Sequence, residues 1–166
     1  MKCTLVLILL WFFVAVEPKI ACQSRAIKAT KQTLNRKFLN SIEGGDVIHF
    51  YRYLRRGANV NTRGFVRTTA LMTAALNGRT TFLAILIARG ARVNSKNQFG
   101  NTALIDAASF GEVEMVRWLL AAGANGHAKN ESDRTAMDFA LKSAYAKQDN
   151  YQEVIRLLKN SGAMER

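Results

Sequence analysis

One passage of the sequence is written twice, 33 residues apart. Thr69-Ala70-Leu71-Met72-Thr73-Ala74-Ala75 is answered by Thr102-Ala103-Leu104-Ile105-Asp106-Ala107-Ala108. Thr69, Thr102 and Thr135 fall in step, as do Gly45, Gly78 and Gly111, and Gly57, Gly90 and Gly123. A fixed period of this length constrains a fold more than any composition can. Each unit is too small to bury its own apolar face and must bury it on its neighbours. The chain has the means: it is 49% hydrophobic and 22% charged with a single proline, the profile of a packed domain. At 166 residues the size prior is one domain.

Within a unit the letters read as two short helices. Thr69 caps the first, with Leu71, Ala74 and Ala75 facing inward, and the small alanines let paired helices approach closely. Phe82, Leu83, Ile85 and Leu86 form the apolar face of the second. Gly78 and Gly90 stand where left-handed backbone ends each helix. The next unit repeats this with Leu104, Ala107, Ala108, Val113, Val116, Leu119 and Leu120. With Ala88-Arg89-Gly90-Ala91 and Ala121-Ala122-Gly123-Ala124 closing the units, the pattern resembles the ankyrin repeat. The resemblance implies an all-α fold, an ankyrin-repeat solenoid of helix-turn-helix units joined by β-hairpin-like loops. It divides the chain into a leader at 1–22, an N-terminal helix and capping repeat at 23–62, repeats at 63–95 and 96–128, and a C-terminal capping repeat at 129–166.

The end units are atypical. Residues 25–42 read as a helix with Ile27, Leu34, Phe38 and Ile42 on one face, and Gly44-Gly45 stops it. Asp46 can cap the following helix, in which Val47, Phe50, Tyr51 and Leu54 are expected to face inward. In the last unit Gly162 lies 39 residues after Gly123, and the six extra residues are expected in the turn within 142–151. Val154, Ile155, Leu157 and Leu158 rebuild its inner face. Against the family pattern, the usual histidine of the opening motif is Met72, Ile105 and Asp138. Arg67 and Asp133 stand where a turn glycine is usual, and only Gly100 keeps it.

At the front, Met1-Lys2 is followed by an uncharged run from Cys3 to Val16, ended by Glu17-Pro18-Lys19. Fourteen residues of helix reach about 21 Å, short of a bilayer core of about 30 Å. A secretory signal peptide is the expectation, and the protein is then secreted or periplasmic. The alternative is membrane anchoring through an uncleaved leader or an acylated Cys22, since Ile20-Ala21-Cys22 is similar to a degraded lipoprotein box with Lys19 at the usual leucine position. Cys3 and Cys22 are the only cysteines, so the repeats carry none to pair, which suits an oxidising compartment.

No catalytic constellation or metal-ligand spacing is present. His49 and His127 have no metal-ligand or triad partner at an interpretable spacing, and Asp106 and Asp138 lie one repeat apart. A non-catalytic protein is expected, with no cofactor and no metal. The resemblance implies that hairpin tips and first helices line a groove for protein partners. Mapped onto this chain, that surface is Arg63, Phe65, Val66, Thr68, Leu76 and Asn77, then Lys96, Gln98, Phe99, Asn101, Ser109 and Phe110, then Lys129, Glu131, Ser132, Arg134 and Lys142. Phe65, Phe99 and Phe110 beside Arg63, Arg67 and Lys96 make the aromatic-and-arginine mixture of interface hot spots. The charge is polarised: residues 23–100 hold fourteen Lys and Arg against Glu43 and Asp46, whereas 101–166 hold eight against nine acids. A monomer docking an acidic-surfaced protein is expected. The alternative is a basic module binding anionic membrane, polysaccharide or nucleic acid through residues 25–67. An exported protein rarely meets nucleic acid, so lipid or polysaccharide is its favoured form.

Overall fold

The computed structural model describes residues 27–144 and 149–162. The leader, Cys22, Arg25 and the 145–148 part of the last turn lie outside the described residues. Helix α1 is described over 27–43. It is followed by α2 (Val47–Arg55), a 3₁₀ turn (Phe65–Arg67), α3 (Ala70–Leu76), α4 (Thr80–Ala88), α5 (Ala103–Ser109), α6 (Val113–Ala121), α7 (Ala136–Ala144) and α8 (Asp149–Asn160). Among the described residues the only β pairing is an isolated antiparallel bridge, Arg63 to Thr69. The fold is all-α, as the repeat implied.

Local chemistry starts and stops these helices. The Thr69 and Thr102 hydroxyls each accept from the backbone N–H three residues on, at 3.3 Å. Asp46 caps α2 by accepting from the His49 N–H at 2.9 Å. Two of the departures from the family pattern find a use here. The Met72 sulfur accepts from the Thr69 N–H at 3.4 Å, and the Asp138 carboxylate accepts from the Thr135 N–H at 2.7 Å. Each closes the reciprocal half of its cap; Ile105 has no group that could do so.

The inner helices α3, α5 and α7 pack in a row, and α4, α6 and α8 form a second row behind them. Leu71, Leu83, Leu86, Leu104, Met115, Leu119 and Leu158 are fully buried between the rows. Phe38 of α1 stacks on Phe50 of α2 with ring centres 5.1 Å apart, and Phe50 meets Phe82 of α4 edge-on at 4.8 Å. Such pairs contribute about 0.5–1.5 kcal/mol beyond their area, and they bolt the first unit to the second.

Three expectations are corrected. Ile27, Val47 and Tyr51 are 64%, 40% and 42% exposed, not buried. The inner side of α2 is Phe50 with the part-buried Tyr53 and Leu54. The extra residues of the last unit do not sit only in a turn: α7 has nine residues and α8 twelve, where α5 and α6 have seven and nine.

Units are also tied by one repeated side chain. Asn61 accepts from the Arg92 N–H at 2.7 Å and donates to the Gly90 carbonyl at 3.3 Å. Asn94 does the same with Asn125 and Gly123, at 2.8 and 3.0 Å. At the front, Asn35 of α1 accepts from the Asn59 N–H at 2.9 Å and so fills the place of a preceding repeat.

Gly100 and Gly90 both have left-handed backbone, φ +74° and +79°, but differ in surroundings. A Cβ at Gly100 would lie 2.7 Å from the Glu131 backbone nitrogen, whereas at Gly90 it would meet nothing within 4 Å. Gly90→Ala is expected to cost only the backbone penalty of about 1–2 kcal/mol, and Gly100→Ala clearly more. Urea unfolding of the two variants checks this; equal losses would refute a hairpin contact at Gly100.

Candidate functional site

The loops before α3, α5 and α7 form three hairpins in register. Each closes with a backbone bond across its base: Gly64 to Thr68 at 2.8 Å, Asn97 to Asn101 at 3.0 Å, and Asn130 to Arg134 at 3.0 Å, the first residue donating. Neighbouring hairpins are joined by Gln98 donating to the Val66 carbonyl and Glu131 to that of Phe99, both at 3.0 Å. In the second and third hairpins an asparagine clasps the loop. The Asn97 side chain accepts from the Phe99 and Asn101 N–H groups, and Asn130 from those of Ser132 and Arg134.

The first hairpin has Gly64 at that position and no clasp. Its missing Cβ leaves room for Leu39 of α1, whose Cδ1 would come within 2.9 Å of one. Arg67 is left-handed at φ +60°, as Gly100 is at the equivalent position, and this loop adds a second left-handed residue, Val66 at φ +48°. Left-handed backbone is costly for a β-branched side chain. Asp133, at φ +57°, is in the same region, so the two residues at turn-glycine positions do adopt glycine-like backbone.

The mapped residues separate into presented groups and groups held by the scaffold. Phe65, Phe99 and Phe110 are 90%, 53% and 58% exposed, and Leu76 is 41% exposed. Arg63, Asn77 and Gln98 are exposed, Val66 half-buried. Lys96 donates to the Lys129 carbonyl at 2.6 Å, Lys129 pairs with Asp133 at 3.0 Å, and Arg134 lies over the Phe139 ring at 6.0 Å. Asn101 is committed inward: it accepts from the Asn130 amide at 2.8 Å and donates to Asp106 at 3.4 Å. It belongs with the supports of the surface.

Asp106 is the feature that residue patterns did not single out. It is 5% exposed, and its second carboxylate oxygen has no hydrogen-bond partner. Burial pushes its pKa up to about 7, against a smaller lowering by the Asn101 amide. The chain Asn130–Asn101–Asp106 thus links two hairpins to α5 through a carboxyl that titrates near neutrality. His49, read from sequence as without a metal-ligand or triad partner, pairs locally with the α2 cap Asp46 at 2.6 Å, and Arg52 reaches its other nitrogen at 3.4 Å. Three-residue helical spacing was the available signal. The Asp46 carboxyl is held below its ordinary value chiefly by the His49 backbone N–H. The Asp138 carboxyl is held down by its bonds from the Thr135 N–H and hydroxyl.

Two hollows flank Phe65. One, of about 520 Å³, lies between α1 and the first hairpin and is lined by Lys28, Lys31, Arg36, Leu39 and Arg63 among others. The other, of about 210 Å³, lies beneath the hairpin and is lined by Leu39, Val66, Thr73, Leu76 and Asn77. Among the described residues there is no cluster of three or more His, Cys, Asp and Glu that could hold a metal. No helix among them is long and apolar enough to cross a membrane.

The titration of Asp106 has a definite sign. Its folded value lies above the ordinary 3.8, so the native state holds that proton more tightly than the unfolded chain. Its contribution is therefore present at low pH and falls between about pH 4 and 7. Asp106→Asn should gain on the wild type across this window by on the order of 3 kcal/mol. Urea midpoints of both proteins at pH 4.5 and 7.5 measure it, and a pH-independent difference would refute the assignment.

Comparison with known proteins agrees with this architecture. A search of curated proteins finds no match. The family model described as ankyrin repeats (3 copies) matches residues 21–130 and, in a second alignment, 71–165. The chain belongs to the ankyrin-repeat family.

Proposed function

We propose that this chain is an exported, monomeric, non-catalytic module that docks a protein with an acidic surface against its hairpins and the adjoining ends of α3 and α5. Ankyrin repeats are generally protein–protein interaction modules. The observation that carries the reading for this chain is the exposure of Phe65 and Phe99 on successive hairpins, at 90% and 53%, with Phe110 58% exposed at the C-terminal end of α5. Large apolar groups presented together beside Arg63 and Lys96 are what an interface core is made of. The polarised charge supports an acidic partner and speeds encounter with it. Export rests on the leader at 1–22, and processing there is part of the proposal, with acylation at Cys22 as its anchored form.

Phe99→Ala with Phe110→Ala should weaken capture of a crosslinked partner from the exporting compartment by about tenfold or more, with the melting temperature nearly unchanged. Capture that survives the double change, or a melting temperature lowered by many degrees, would refute the site. Intact mass of the exported chain should show loss of about the first 22 residues; a full-length mass in that fraction would refute processing. Binding that is diffuse and vanishes with moderate salt would favour anionic lipid or polysaccharide instead.

A further inference from the structure

The longest described helix of the first half does something the repeats themselves do not. In α3 and α5 the inner helix begins after the hairpin, but α1 continues as helix through the positions a hairpin would occupy. It therefore runs beside the first hairpin and carries Lys28, Lys31 and Arg36 along its exposed side. With Arg63 of the hairpin they line the cleft of about 520 Å³, and no lining residue is acidic. Among the described residues none of these four cations is in an ion pair. Like charges gathered without counter-charges lower stability unless something anionic joins them.

Phe65 forms the wall between that cleft and the smaller hollow beneath the hairpin, and Leu39 contributes to both. At about 210 Å³ the smaller hollow is below the usual size of a small-molecule pocket, and fits one side chain. Val66, Leu76 and Leu39 make it largely apolar, with Glu43 the one carboxylate on its lining. A sugar chain or a lipid headgroup would use the cations and leave this hollow empty. A polypeptide can use both.

We infer that the first hairpin is a bipartite docking site for an acidic peptide segment of a partner protein, its carboxylates lying in the Lys28–Lys31–Arg36–Arg63 cleft and one apolar side chain passing Phe65 into the hollow bounded by Leu39 and Leu76. The inference rests on the protein-binding reading above and adds the partner's chemistry and its place on the molecule. The left-handed Val66 is consistent with it, because strain held at a turn that presents an aromatic at 90% exposure has no packing return.

The test uses the full-length chain and a short labelled peptide of glutamates and aspartates with one central leucine. Its twin with serine for leucine, heparin, and phosphatidylglycerol vesicles are the comparators. The leucine peptide should bind about tenfold tighter than the serine twin. The preference should disappear in Phe65→Ala, and both peptides should lose binding when Lys28, Lys31 and Arg36 are changed together to Glu. The same three changed to Gln should bind at intermediate strength, and unchanged melting curves establish that the variants are folded. Equal binding of the two peptides overturns the inference, as does binding of heparin or vesicles with none of the peptide. If the peptide fails while Phe99→Ala with Phe110→Ala still abolishes capture of a partner, only this inference falls. If the peptide behaves as stated while that capture is unaffected, the wider hairpin surface falls and this site stands.

Discussion

A helix of seven residues makes about two turns and does not persist alone in water; α3 and α5 are both of that length. Everything else in the molecule follows from the need to hold them from outside. The row of leucines between inner and outer helices supplies the burial, and the side-chain amides of Asn61 and Asn94 supply direction. Each of these amides satisfies a donor and an acceptor belonging to the next unit, so a unit displaced along the stack would lose both bonds at once. Burial is indifferent to small slips; paired hydrogen bonds are not. Together they give a stack with a fixed register, and fixed register is what lets separate hairpins present one surface.

That surface divides its labour. Asn97, Asn101 and Asn130 satisfy the loops and each other, while Phe65, Phe99 and Phe110 stand away from the protein. The first hairpin departs from the other two because a glycine replaces the clasping asparagine, and the loop carries one extra left-handed residue, Val66. The departure coincides with Phe65, the most exposed large aromatic among the described residues, and with a cluster of positive charge. A partner meeting this protein would thus meet a regular scaffold at two hairpins and a specialised one at the third.

The period, the threonine caps and the left-handed glycines were legible because each is fixed by local backbone chemistry that recurs every 33 residues. The exposure of Ile27, Val47 and Tyr51 was not, because periodicity shows which residues share a face but not whether a neighbour covers it. At a stack's end the neighbour is missing. The cap-closing roles of Met72 and Asp138 escaped for another reason: each stands where the family pattern has histidine, and neither a sulfur nor a carboxylate announces from sequence which N–H it accepts. Asp106 was visible as a carboxylate in a helix, and only packing revealed that it is buried beside a single amide. The aromatic members of the proposed surface could be named because nothing in the fold requires them; the α1 side of the cationic cleft depended on how far that helix continues.

A stack of repeats has, in principle, no reason to end, since each face that receives one unit could receive another. At the front of the described residues Asn35 stands in for that neighbour. By accepting the Asn59 N–H it does for the first unit what Asn61 and Asn94 do for the units after it, and α1 takes the place of the first unit's own hairpin. The helix is in effect a counterfeit repeat: it imitates one bond of a neighbour and refuses the rest. A bond that elsewhere joins two units is here made within one, so the first unit supplies part of its own neighbour.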